Sequence, residues 1–482
     1  MLSIIIAFIV MIWVGVLITK KYKAQAVLFL GGMVLMLIAV YTNLGEILPE
    51  KERTGIMFFD MFEFIKKTLS SRAAGLGLNI MAVGGFARYM EHIGASKALV
   101  KLTINPLRKL KSPYIVMSAA WVIGMTLGLF INSASGLAML LMVTVFPILI
   151  QLGVSRLSAC AVIATTLCMD WSPGDTGSLL AAQISGMSIT TYWTQYQVPT
   201  ALCVMVVVAI LHYFVQQWFD KREGHVHVAL TAEELEKDKE TMENLPPALY
   251  AVLPTIPLFL ILFFSDIWVS WGKADDALEI FKWFATIPFL QWLATIKMDI
   301  VKAMLISLFI AMVVEYIRKR NAKEVMEGIQ SFFDGLGMQM ANVVTLIVAG
   351  ETFARGLQSI GAIDAIIKGS QNMGFSGFGM VLVMVAIIGF SAIIMGSGNA
   401  PFFAFAALTP TVAAKMGLAP VLMIMPMHFI ASIARNLSPI TAVIVVTSSL
   451  GGISPFDLVK RTAIPMVGAA ITMLAANYIL FH

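Results

Sequence analysis

Apolar stretches near bilayer length recur from one end of the chain to the other, separated by short basic or polar connections; residues 2–18, 26–41, 201–214, 301–314 and 381–395 are examples. A spanning helix needs roughly 20 mostly apolar residues. The pattern predicts an all-α polytopic membrane protein with approximate spans at 2–18, 25–43, 73–92, 156–186, 198–219, 249–265, 299–317, 336–356, 420–450 and 463–481. Two further apolar regions, 113–152 and 376–415, are each broken in the middle by small polar residues: Asn132-Ser133-Ala134-Ser135-Gly136 in the first, Gly396-Ser397-Gly398-Asn399-Ala400-Pro401 in the second.

The basic clusters orient these segments, because Lys and Arg collect in cytoplasmic loops. Lys20, Lys21 and Lys23; Lys97, Lys101, Arg108, Lys109 and Lys111; Lys221 and Arg222; Arg318, Lys319, Arg320 and Lys323; and Lys460 and Arg461 all lie inside if the chain crosses ten times with both termini outside. Regions 113–152 and 376–415 must then return to their own side. They read as re-entrant hairpins, the first entering from the cytoplasm and the second from outside. The polar stretch 220–248, with a capped helical run at 231–238 and a Pro246-Pro247 stop, reads as a cytoplasmic linker between two halves. Its His225 and His227 read as solvent-exposed, since no further metal ligands cluster nearby.

The halves, 1–219 and 249–482, repeat each other at a separation of 266–267 residues. Phe86-Ala87-Arg88 recurs as Phe353-Ala354-Arg355, Ile93-Gly94 as Ile360-Gly361, Lys101 as Lys368, Asn132 as Asn399, Ser172-Pro173 as Ser438-Pro439, Gly186 as Gly452 and Pro199 as Pro465. Five spans per half turn the second copy upside down. Inverted repeats with helices interrupted at matching places mark secondary transporters.

Composition sharpens the picture. Charged residues make up 13% of the chain, against about a quarter in soluble domains. The net charge of +5 comes from loop residues, and no basic stripe with interleaved aromatics suggests a nucleic-acid partner. The three cysteines are dispersed in apolar segments, too few for a disulfide framework or a zinc site. No phosphate-binding glycine loop of the G-x-x-x-x-G-K-[ST] type occurs, so ATP drive is not expected, and no nucleophile constellation points to an enzyme. The expected partners are the lipid bilayer and a small organic anion, with no cofactor beyond a coupling Na⁺ or H⁺.

Candidate chemistry lies at the four interruptions. Proline removes a backbone donor, and in a bilayer the freed backbone groups are tolerated only where protein or a water-filled cavity meets them. The four breaks, in two matched pairs, suggest one shared polar cavity near the midplane. Helix N-termini facing such a cavity favour anions. The expected substrate-binding residues are Asn132, Ser133, Ser135, Ser172, Thr176, Ser397, Asn399, Arg435, Ser438 and Thr441. Arg435 lies deep in an apolar segment, where an arginine costs about 2.5–3.5 kcal/mol. It can grip a carboxylate, pair with Asp170 or Asp175, or snorkel to the cytoplasm. Asp175 can ligate a cation, take part in proton coupling or pair with Arg435. His428 is a further proton-relay candidate, and Arg88 and Arg355 read as interfacial anchors.

Residues 134–137 (ASGL), 179–185 (LLAAQIS), 396–404 (GSGNAPFFA), 437–439 (LSP) and 453–465 (ISPFDLVKRTAIP) resemble the DcuC family of anaerobic C4-dicarboxylate carriers. The resemblance runs from about residue 25 to the C-terminus. It narrows the expected partner to a small organic dianion and implies transport of fumarate, succinate, malate or aspartate by exchange, efflux or ion coupling in a bacterial inner membrane. The wider ion-transporter superfamily shares the layout of hairpin tips followed by Pro-interrupted helices, and implies a homodimer with a scaffold and a moving transport domain. Against that pattern, the first break reads Trp-Ser-Pro-Gly-Asp-Thr-Gly and the Ser-Asn-Thr tip triplet of divalent-anion symporters is absent. The residues alone leave open another organic anion, such as a tricarboxylate, a short-chain fatty acid or an amino acid.

Overall fold

The computed structural model describes residues 2–20, 22–109, 112–225, 246–264, 282–283, 286–293, 295–296, 298–362, 365 and 377–481. The stretch 231–238, His227, Lys111, Lys368 and residue 376 of the sequence analysis lie outside them. The described residues are helical, with no strand among them. Six helices are long and apolar enough to cross a bilayer, and the chain is an all-α multi-pass membrane protein.

The first half holds α1 (Leu2–Thr19), α2 (Ala24–Thr42), α3 (Met57–Ala74), α4 (Leu76–His92), α5 (Ala95–Ile104), α6 (Pro113–Leu127), α7 (Ala134–Thr144), α8 (Phe146–Gln151), α9 (Arg156–Ala164), α10 (Thr176–Ile184), α11 (Ile189–Tyr192) and α12 (Val198–Arg222). The second holds α13 (Ile256–Phe263), α14 (Pro288–Leu293), α15 (Ile300–Lys319), α16 (Ala322–Gln339), α17 (Thr345–Ser359), α18 (Gly377–Met395), α19 (Asn399–Ala406), α20 (Thr409–Lys415), α21 (Pro420–Arg435), α22 (Ala442–Gly451) and α23 (Pro455–Phe481). Helix α3 was not anticipated: three charges in its second and third turns, Glu63, Lys66 and Lys67, interrupt the apolar pattern. A π-turn, Met340–Val344, joins α16 to α17.

The apolar segment 156–186 divides into α9 and α10, and segment 420–450 into α21 and α22. Helices α9 and α10 have nine residues each, about 13 Å at 1.5 Å per residue. Each therefore covers about half of a hydrocarbon core of about 30 Å, which puts the interruption near mid-depth.

Glycines set the closest helix approaches. A Cβ on Gly32 of α2 would lie 2.5 Å from the Thr352 carbonyl carbon of α17, and one on Gly356 would lie 2.8 Å from the Gly32 oxygen. Helix α4 meets α16 in the same way, where a Cβ on Gly335 would lie 2.7 Å from the Gly84 oxygen. Small residues allow such approaches where the lipid-immersed exterior supplies little hydrophobic drive for association. Elsewhere α12 packs on α23 and α6, α18 on α21, α7 on α22, α19 on α10, α10 on α21, and α22 on α9.

One loop charge is relocated. Arg461, assigned above to a cytoplasmic loop, is 2% exposed inside α23. Its Nη1 lies 2.9 Å from Asp220 Oδ1 and its Nη2 donates to Glu223 Oε2 at 2.6 Å. Asp220 also accepts from Ser155 Oγ (2.6 Å), Ser158 Oγ (2.8 Å) and Tyr114 OH (3.1 Å). The network ties α23 to α12, α9 and α6. Charge alone marked a basic cluster, but could not distinguish an exposed Lys460 from a paired Arg461.

Candidate substrate site at the helix interruptions

Each of the two small-residue breaks, at 132–136 and 396–401, read from the sequence as hairpin tips, sits on the interrupted helix of its own half of the chain. At the first tip, Ser133 is the N-cap of α7 and accepts from Gly136 N (3.1 Å). Asn132 and Ser133 are exposed and Ser135 is half-buried. Ser172 Oγ donates to Leu129 O (2.9 Å) and accepts from Gly174 N (3.2 Å), which fastens the first break to the end of α6. Asn132, Ser172, Pro173 and Gly174 border a narrow cavity with Val83, Phe86 and Pro254. Thr176 is the first residue of α10.

At the second tip, a Cβ on Gly398 would lie 2.6 Å from Ala431 O, and one on Gly396 would lie 3.2 Å from Thr441 N. Gly396 has φ +64, a conformation that favours glycine. Ser397, Ala400 and Ile440 border a cavity of about 410 Å³ together with Tyr22, Gln25, Leu346 and Met395. The tip residues and breaks line two cavities, one for each half, rather than the one shared cavity expected from the sequence, because each tip packs on the break of its own half.

The two halves differ in how their helix starts are satisfied. In the first, Asp175 caps α10 and accepts from Gly177 N (2.7 Å) and Ser178 N (3.1 Å), while Ser133 caps α7. In the second, neither α19 nor α22 has a side-chain cap. Thr441, at the N-cap position of α22, donates instead to Arg435 O (2.5 Å). Ser438 is fully buried, and its Oγ has no hydrogen-bond partner among the described residues. Asn399 is the first residue of α19 and half-buried. The free N–H groups at a helix start favour negative charge.

Arg435 pairs with Asp170 rather than Asp175: Nη2 donates to Asp170 Oδ1 (2.9 Å) and Leu167 O (3.0 Å). Asp170 Oδ2 accepts from Ser432 Oγ (2.6 Å), and the Asp170 carbonyl accepts from Gln197 Nε2 (3.1 Å). Arg435 Nε is buried without a partner. The pair joins the interruptions of the two halves across the protein. Asp175 meets His428, whose Nε2 lies 3.2 Å from Asp175 Oδ2. His428 is 2% exposed and packs beside the Phe402 and Phe429 rings.

Sequence reasoning weighed Asp170 only as a partner for Arg435 and missed Gln197 and Ser432. The available signal was an aspartate inside an apolar segment, five residues before Asp175. Arg88 lies at a surface, 3.7 Å from Glu91 and half-exposed. Its repeat counterpart Arg355 differs: it lines a polar cavity with Arg72, Gln183 and Glu351. Among the described residues no group of three His, Cys, Asp or Glu side chains comes together.

A multi-pass helical protein with interrupted helices, polar residues at mid-depth and a buried arginine defines a membrane transporter. A profile of the DcuC family, described as C4-dicarboxylate anaerobic carriers, matches residues 2–482, and the chain belongs to that family. It is a secondary transporter of C4-dicarboxylates, not an enzyme. The chain is 35% identical over 483 residues to the probable anaerobic C4-dicarboxylate transporter DcuC of Vibrio cholerae serotype O1, covering 100% of this chain and 98% of the relative. It is 34% identical over 478 residues to the anaerobic C4-dicarboxylate transporter DcuC of Escherichia coli K12, covering 99% and 96%. The fold is similar to that of the YdaH transporter of Alcanivorax borkumensis (TM-score 0.64, 12% identity, 95% of this chain and 98% of that one). It is also similar to MtrF of Neisseria gonorrhoeae, an antimetabolite efflux pump (TM-score 0.60, 15% identity, 95% of each chain).

Proposed function

We propose that two inverted repeats, residues 1–219 and 249–482, form an elevator-type carrier that binds a C4-dicarboxylate at the interruptions of the second half. Reciprocal packing supports the repeat. Helix α7 packs on α22 as α19 packs on α10; α10 packs on α21 as α22 packs on α9; α4 packs on α16 as α3 packs on α17. Those pairs exchange under the separation seen in the sequence. Regions 113–152 and 376–415 act as re-entrant hairpins in this reading, although α18 has 19 residues and could cross in full.

The observation that carries the site assignment is the asymmetry of caps. The first half closes its helix starts with Ser133 and Asp175. The second leaves α19 and α22 open beside Ser397, Asn399 and the unpartnered hydroxyl of Ser438. One carboxylate of the substrate docks there, and the second is held by Arg435, whose positive charge Asp170 balances in the absence of substrate. Asn132, Ser133, Ser135, Ser172 and Thr176 shape the companion site in the first half.

The basic clusters orient the chain with both termini outside and the 220–248 linker in the cytoplasm; a bacterial inner membrane and a homodimer as the working unit follow from the resemblance to the family. In that orientation the cavity at Ser397, next to the Tyr22–Gln25 connection, opens to the cytoplasm. Asp175 and His428, 3.2 Å apart, form the coupling element; Na⁺ held by unwound carbonyls is the other coupling route. Competition separates the alternatives among organic anions. Unlabelled fumarate should block uptake of labelled succinate more strongly than citrate, butyrate or a monocarboxylic amino acid, and the reverse order would reassign the substrate.

A further inference from the structure

The cavity around Arg72 and Arg355 plays no part in the site above. It has a volume of about 400 Å³ and is bordered by Phe64 and Arg72 of α3, Gln183 of α10, Glu351 and Arg355 of α17, and Pro410 of α20. Arg72 Nε lies 2.6 Å from Glu351 Oε1, and Arg72 Nη1 donates to Gln183 Oε1 at 2.7 Å. Arg355 stands one turn after Glu351. Its Nη1 donates to Gln358 Oε1 (3.3 Å), its guanidinium lies 5.3 Å from the Phe64 ring centre, and its Nε is buried without a partner.

Among the described residues, the cavity lining holds two guanidiniums and one carboxylate, which is already paired to Arg72. Glu52, an acid whose charge reaches Arg355, is engaged by Lys67 at 3.1 Å. A guanidinium held 5.3 Å from an aromatic ring centre, with the Gln183 and Gln358 amides in the same lining, suits a planar carboxylate. The location fits a passage: α10 begins at the first interruption, α20 follows the second tip, and α3 and α17 form the opposite wall. By the charge-based orientation, every lining segment lies at the outer end of its span, away from the cytoplasmic cavity at Ser397.

We propose that this cavity is an outer carboxylate-binding antechamber, in which Arg355 holds the dianion before it reaches the tip site. The inference rests on the reading of substrate and orientation given above. It is tested by counterflow of labelled succinate in right-side-out and inside-out vesicles. Arg355→Gln should raise the half-saturation concentration about tenfold for succinate presented to the outer face, and by less than twofold for succinate presented to the inner face. Arg355→Lys, which keeps the charge and loses the fork, should give an intermediate outer value. The inner-face measurement doubles as the control for folding; if Arg355→Gln does not fold, the same comparison on Arg355→Lys decides. Equal shifts on both faces, or none, would overturn the antechamber while leaving the substrate assignment intact. Absence of succinate counterflow in the unmodified protein would overturn both.

Discussion

Arg435 Nη2 lies 2.9 Å from Asp170 Oδ1, so the interrupted helices of the two halves are joined by one ion pair across 265 residues of sequence. Under the internal repeat Asp170 corresponds to Asn436, and Arg435 to Met169. Each half thus contributes one charge that the other lacks. In the proposed account the pair has two roles, cancelling a charge inside the bilayer and keeping a guanidinium where a dianion can reach it.

Removing one partner of a buried pair costs about 3–5 kcal/mol because the other charge is stranded, whereas replacing both by apolar groups is often tolerated. Asp170→Leu and Arg435→Met should each lower thermal stability in detergent, and the double variant should recover most of it without recovering transport. Arg435→Lys should fold and bind succinate at least tenfold more weakly, because the ammonium loses the planar fork. Full transport by Arg435→Met would remove Arg435 from the substrate site.

The cap asymmetry makes a sharper prediction. Thr441→Asp places a carboxylate at the start of α22, as Asp175 does at α10. Aspartate is a good N-cap, so the fold should hold or gain slightly. The added negative charge occupies the proposed position of a substrate carboxylate, and dicarboxylate affinity should fall more than tenfold, about 1.4 kcal/mol. Unchanged affinity measured by succinate-dependent thermal shift would place the anion elsewhere.

Much of the architecture was legible because apolar length and punctuation carry it. The interruptions at Ser172-Pro173 and Ser438-Pro439 were readable as proline breaks, and the structure divides both apolar segments there. Helix α3 was not readable, since its three closely spaced charges hide a helix that contributes only three buried residues, Asp60, Met61 and Thr68. Partner choice was beyond the sequence as well. Nothing in the spacing tells that Arg435 selects Asp170 while Asp175 turns to its own helix start and to His428, because both aspartates lie within a turn or two of the same break.

Arg461 illustrates the limit of charge counting and supplies a stability test. Arg461→Met strands Asp220 among Ser155, Ser158 and Tyr114, and should destabilise the protein by about 3–5 kcal/mol, read as a lower melting temperature in detergent. Lys460→Met, next to it and 72% exposed, should have little effect. Equal effects would mean that the network contributes nothing to holding α23.

The orientation has its own check. A single cysteine at residue 230, in a background without the three native cysteines, should react with a membrane-impermeant maleimide only when the cytoplasmic face is exposed. Labelling from the outside would invert the topology and move the Ser397 cavity to the opposite face.

The most direct test of the account is counterflow of labelled succinate in proteoliposomes, with and without internal unlabelled fumarate, repeated with and without Na⁺ at two pH values. A C4-dicarboxylate carrier gives saturable uptake accelerated by the internal acid, and dependence on Na⁺ or pH identifies the coupling ion. Absence of saturable flux for every C4-dicarboxylate, or flux indifferent to the internal acid and to both ions, would contradict it.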